Sequence, residues 1–273
     1  MIGALYTGIT GMDAAGTAME VIANNVANVN TAAFKSGTTS FASIYSDSIS
    51  MGSQSGNEKG RGVQVVALGS AWEQGNLEST QNPTDLAIQG DGFFRVVEDG
   101  ISQYYTRAGQ FSYDVDSRLT DPDGRVVQGY VCDPLTGLPG TAAVVDIDID
   151  DSTHTNINFG ADGLITGENL ATGLMENLFQ VSLFDFANID GLRKVTGNLY
   201  QEAVDSGPPL YANGQVSGSN GVGEIMRNNL EMSNVDLARE FVDLIVTQKA
   251  FQANSRVIST TSEMLTEVLN IMR

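Results

Sequence analysis

The chain has 273 residues, 41% of them apolar, which is enough for one large domain or two small ones with a real core. Thirty-three acidic against fourteen basic residues give a net charge of −19, which repels phosphate and anionic lipid, so neither nucleic acid nor membrane insertion is expected. One cysteine, Cys132, excludes an intrachain disulfide and a thiolate metal cluster, and with His154 as the sole histidine a Cys-His nucleophile has little basis.

The opening MIGALYTGITGMDAAG has no basic leader or long apolar segment, so a conventional signal peptide is not expected, and no run of about eighteen apolar residues offers a bilayer span. It reads instead as a helix. Leu5, Met12, Met19 and Val26 recur at an interval of seven, with Ile2, Ile9, Gly16 and Ala23 as the companion row. Gly3, Gly8, Gly11 and Gly16 lie inside it, each costing about 1 kcal/mol relative to alanine, so the helix is expected to form when something packs against it. It closes on ANNVANVNTAAFKS, where Asn24, Asn25, Asn28 and Asn30 suit a helix end followed by turns, because asparagine tolerates left-handed dihedrals and bonds its own backbone.

Residues 37–62 are rich in Gly, Ser and Thr and read as an extended arm with little core of its own. From Gln64 the signals are β: VQVVAL, DLAI, the turn GDG, FFRVV, the turn EDG, SQYYTR, FSYDV, the turn DPDG and RVVQGY. VVDIDID, NINF, LITG, LFQVSLFDF and NLYQEA follow, and short alternating runs at close spacing predict antiparallel sheet. QGDGFF leads into a strand rather than a helix, so it reads as a hairpin turn and not as a phosphate loop. In DIDIDD, alternation puts Asp146, Asp148 and Asp150 on one strand face; with Asp151 they lack the glycine and glutamate spacing of a calcium loop and read as a solvated acidic face.

The C-terminal segment is the most regular. Leu237, Leu244, Phe251, Ile258, Leu265 and Met272 recur at sevens, with Phe241, Gln248, Ser255, Ser262 and Leu269 as companions. Ser233 and Asp236 resemble a capping box, and a helix over 234–272 would reach roughly 58 Å at 1.5 Å per residue. The fold class is therefore α+β: a β-rich body, residues 73–233, inserted between helical ends, residues 1–30 and 234–273, that pair as a coiled coil, with 31–72 as an extended arm. The assembly seam is expected at Leu5, Met12, Met19, Val26, Leu237, Phe241, Leu244, Phe251, Ile258, Leu265 and Leu269. No catalytic residue, cofactor or metal is nominated, and the chain is not expected to be an enzyme.

The run Asn24-Asn25-Val26-Ala27-Asn28-Val29-Asn30-Thr31-Ala32-Ala33-Phe34-Lys35, with GNLESTQNPTDLAIQGDGFF (75–94), YTRAGQF (105–111) and SNVDLAREFVDLIVTQKAFQANSRVISTTSEML (233–265), resembles the bacterial flagellar hook and rod protein family. The resemblance implies an axial subunit exported through the flagellar type III apparatus without a cleaved leader. Terminal helices would line the inner tube of a helical homopolymer, and β domains would form its outer layer. Its partners would be identical subunits, the distal rod, the hook cap and the hook-filament junction. GALYTGITGM, GRGVQV and the C-terminal run look most like hook members, which implies a flexible universal joint in the extracellular hook. The length suits the alternative, a rigid distal rod subunit in the periplasm. An alternative from another class is a secreted β-rich protein that binds calcium through Asp146–Asp151.

Overall fold

The computed structural model describes residues 2–44, 47–48, 58–98, 100, 102–133, 144–149, 153–160, 162–219 and 221–272. They form two compact units. One comprises residues 1–29, 35–71 and 235–273; the other comprises 30–34 and 72–234.

The first unit is built on two helices, α1 (Ile2–Ala27) and α2 (Leu237–Ile271). Their contacts run antiparallel: a Cβ on Gly8 would stand 2.9 Å from Ile258 Cγ1, one on Gly11 would stand 2.6 Å from Asn254 Nδ2, and Asn25 bonds Glu240. The number rises along α1 as it falls along α2. The buried positions of α1 are Gly8, Ala14, Ala15, Ala18, Ile22 and Asn25, four of them glycine or alanine, and small residues let two helix backbones approach closely. That approach accounts for Gly8 and Gly11, which would otherwise only weaken the helix. The N-cap of α2 is Asp236, whose carboxylate accepts from Ala238 N at 2.9 Å and Arg239 N at 3.4 Å. The capping box predicted from Ser233 is thus replaced by a single cap three residues later, because Asp236 itself has the extended backbone a cap needs.

The stretch expected as an extended arm with little core of its own holds, where described, two separate two-stranded antiparallel pairs. Gly37–Ser43 pairs with Val63–Ser70, with an irregularity at Ser40/Phe41, and Asp47–Ser48 pairs with Glu58–Lys59. VQVVAL, read as β from the sequence, lies within the strand Val63–Ser70.

The second unit is a sheet body. In spatial order its main path is His154–Phe159, Leu164–Asn169, Met175–Val181, Val126–Val131, Phe93–Glu98, Ser102–Thr106, Leu199–Gln201 and Arg193–Lys194, antiparallel throughout. Two further ribbons join distant segments: Leu86–Gln89 with Glu224–Arg227, and Leu77–Ser79 with Asn229–Glu231. The strand from Phe93 is buried on both faces. Phe94 and Val96 enter a core with Leu86, Ile88, Leu119, Ile165 and Val181, whereas Phe93 enters a second cluster with Tyr105, Phe184, Phe186 and Tyr200.

GDGFF is not a hairpin turn. The strands on its two sides belong to different sheets, and Gly90 (φ 109°) and Gly92 (φ 130°) carry the chain from one to the other in a backbone region open to glycine. On either side of EDG, Phe93–Glu98 and Ser102–Thr106 do pair, while Asp99 and Ile101 lie outside the described residues. Among the described residues, no helix is long and apolar enough to cross a membrane.

Candidate functional site

The asparagine-rich helix end is divided between the units. Asn25 lies in the first, where it is 2% exposed and used as a splint. Its Oδ1 accepts from Gly37 N at 2.8 Å, while its Nδ2 donates to Gly37 O at 3.0 Å and to Glu240 Oε1 at 3.0 Å. One side chain thereby joins the end of α1, the start of the ribbon and the first turns of α2. Burial pushes the Glu240 carboxyl above the usual range, the bond from Asn25 pulls it back in part, and Asp243 pushes it up further. Asn28 closes the helix: its Nδ2 donates to both the carbonyl and the side-chain oxygen of Asn24, each at 2.9 Å. Asn24 and Asn30 are exposed.

The expectation of left-handed asparagines in this stretch is not met. Asn25 and Asn28 act through their side chains, and the left-handed residue is Ala33 (φ 55°). Ala33 and Phe34 are buried in the second unit, where Ala33 N donates to Glu231 O at 2.7 Å and Asn198 Nδ2 donates to Ala32 O at 2.9 Å. The Lys194 ammonium sits 4.7 Å from the Phe34 ring centroid, and burial lowers the pKa of that lysine.

The predicted seam residues fall into two groups. Leu5, Met12, Met19 and Val26 on α1, with Leu244, Ile258 and Leu265 on α2, are half-buried. Leu237, Phe241, Phe251 and Leu269 are exposed, Phe241 at 51% and Leu269 at 66%. The companion residues Ile2 and Ile9 are exposed as well. Within the chain α1 sets Gly8, Gly11 and Asn25 against α2, and much of the apolar surface of α2, including Val242, Ile245 and Val246, stays open.

A site that sequence reasoning missed lies where the signature stretches of the second unit meet. Arg107 of YTRAGQF and Glu231, just ahead of the C-terminal run, are both buried, with Nη1 and Oε2 3.5 Å apart. Glu231 Oε1 also accepts from Gly75 N at 2.9 Å, and Arg107 Nη2 donates to Gly90 O at 2.8 Å. A Cβ on Gly75 would land on the Met232 carbonyl oxygen, and one on Gly109 would land on that of Leu86. The signal available in the sequence was the glycine in GNLES and in RAGQF, which marks a close backbone approach without naming its partner.

Asp146 and Asp148 are exposed, with Ile147 and Ile149 buried between and beside them; Asp150 and Asp151 lie outside the described residues. Asp146 accepts from Gln128 Nε2 at 2.7 Å. Cys132 and His154 line one cleft of about 290 Å³, but the cysteine is buried, which pushes its thiol up, away from the thiolate a nucleophile needs. His154 Nε2 is instead 3.7 Å from Glu176 Oε2.

Three family profiles match in chain order: "Flagella basal body rod protein" over residues 5–35, "Flagellar hook protein FlgE/F/G D1 domain" over 87–167, and "Flagellar basal body rod FlgEFG protein C-terminal" over 226–271. The chain is 36% identical to the flagellar basal-body rod protein FlgG of Bacillus subtilis, with 100% of each chain covered. It is 32% identical to the FlgG of Borreliella burgdorferi, again over 100% of each. Similarity to the flagellar hook protein FlgE of the latter organism is lower, 24% over 99% of this chain and 100% of that one. Among solved structures, the Helicobacter pylori hook protein FlgE2 is similar at 17% identity over 65% of this chain and 47% of that one, with a TM-score of 0.23. The profiles at both ends and in the sheet body, with full-length relatives above 30% identity, establish that the chain belongs to the flagellar rod and hook protein family, a family of axial structural proteins.

Proposed function

We propose that this chain is a rod subunit of the flagellar basal body that polymerises with copies of itself into a straight, stiff tube. The observation that carries the choice of rod over hook is the identity of 36% to a rod protein along the whole chain, against 24% to a hook protein. The hook alignment extends over 444 residues, against 282 for the rod, so that hook protein contains a large amount of chain with no counterpart here. One sheet body inserted between two helices is consistent with the shorter partner.

The open apolar surface of α2 supports assembly. Contiguous exposed apolar surface on a soluble chain marks an interaction face, and Leu237, Phe241, Phe251 and Leu269 would be covered by helices of neighbouring subunits, in a coiled-coil arrangement along the tube wall. Flanking axial proteins would be end-to-end partners, and export through the flagellar type III apparatus would deliver the subunit to the periplasmic rod. Electron microscopy of the purified, concentrated protein tests the reading. Straight tubes are expected; supercoiled, bending tubes would return the assignment to the hook.

A further inference from the structure

The chain passes between its two units four times, after Val29, Phe34, Ala71 and Asn234, so three segments of the second unit carry every covalent connection to the first: 30–34, the start of 72–76, and the end at 231–234. Inside the second unit these three segments are bonded to one another, and Glu231 takes part in joining all of them. Its backbone carbonyl accepts from Ala33 N at 2.7 Å, its carboxylate accepts from Gly75 N at 2.9 Å, and the same carboxylate faces Arg107, which is anchored to Gly90 O at 2.8 Å. Around it, Asn234 N donates to Phe34 O at 3.4 Å, Asn234 Nδ2 to Glu73 O at 3.1 Å, and Met232 N to Asn76 O at 2.8 Å.

We propose that Glu231 is the positioning residue of a junction clamp: it fastens the three connecting segments to each other and to the sheet, so that they hold or release together. The reason lies in the chemistry of the pair. A buried carboxylate is tolerated only while its partners stay in place: losing Arg107 would strand its charge, and losing Gly75 N would leave one of its oxygens without that donor. In a shaft that transmits torque, such a clamp would share load among all crossings instead of leaving it on one. That consequence rests on the rod reading; the clamp itself does not.

Amide hydrogen exchange on the full chain, resolved by residue, tests the clamp in the unassembled protein. Glu231→Gln keeps an acceptor for Gly75 but removes the charge opposite Arg107. Exchange at Ala33, Gly75 and Asn234 is expected to rise together, about tenfold, while Val96 and Val127 in the sheet stay unchanged. Asn234→Ala supplies the second arm. Its side chain bonds the Glu73 carbonyl, yet faster exchange at Gly75 and Ala33 is expected through the clamp. If either variant altered only the amide nearest its own side chain, or if the sheet amides rose equally, the clamp would be a set of independent bonds and the proposal would fall. Tube shape plays no part in this readout, so failure of the rod assignment would be seen separately.

Discussion

Tyr200 is 2% exposed, and its hydroxyl has no hydrogen-bond partner among the described residues. Burial raises its pKa from 10.0 to about 12. A folded-state pKa above the unfolded one means that the stability it reflects is complete below pH 10 and is lost as pH climbs through about 12. The loss is on the order of 3 kcal/mol, since each pH unit between the two values is worth about 1.4 kcal/mol. Tyr200→Phe removes the titration and an unsatisfied polar atom. Denaturant melts are expected to show the variant at least as stable as wild type at pH 8 and more stable at pH 11; an equal alkaline loss in both would refute the assignment. Ala33 constrains the fold through its backbone instead. It is buried at φ 55°, where a branched side chain is strained, so Ala33→Val should lower stability by roughly 2 kcal/mol or more in the same melts.

At the scale of elements, α1 shows why its contact face was not legible in the sequence. Hydrophobic spacing points to Leu5, Met12, Met19 and Val26, but the positions that stand against α2 include Gly8, Gly11 and Asn25, and Ala15, Ala18 and Ile22 are buried on the same helix. Glycine and alanine carry almost no hydropathy signal; what they contribute is closeness, which only the partner reveals. On α2, Ile258 of the heptad row stands against Gly8, whereas the polar contacts Glu240 and Asn254 gave no hydropathy signal. The two kinds of glycine separate experimentally. A Cβ at Gly16 meets nothing within 4 Å, so Gly16→Ala should raise the melting stability of the helix pair by up to about 1 kcal/mol. Gly8→Ala should forfeit that gain, since its Cβ would crowd Ile258. Equal effects would contradict the close approach. Glu240 adds a pH dependence. Its raised pKa means that the pair is best stabilised with the carboxyl protonated and weakens as pH rises through the raised value. Glu240→Gln retains an acceptor for Asn25, so it should melt higher than wild type at neutral pH, with the difference vanishing in acid.

For the whole molecule, the helical ends, the inserted sheet body and the family were legible, because heptads, short alternating runs and the Asn-rich motif are local patterns. The ribbon of 37–43 with 63–70 and the Arg107–Glu231 pair were not, because each depends on partners far apart in sequence that only the tertiary fold brings together. What the single chain leaves unfinished is the outer surface of α2, which copies of the same chain would cover in the assembled tube. Phe251, at 41% exposure, stands on that surface, and a carboxylate there would be desolvated in any helix-helix contact. Sedimentation of Phe251→Asp beside wild type, with circular dichroism as the check on folding, is the most direct measurement. A folded variant that stays monomeric under conditions where wild type forms tubes is the predicted result; tubes of normal yield from the variant would contradict it.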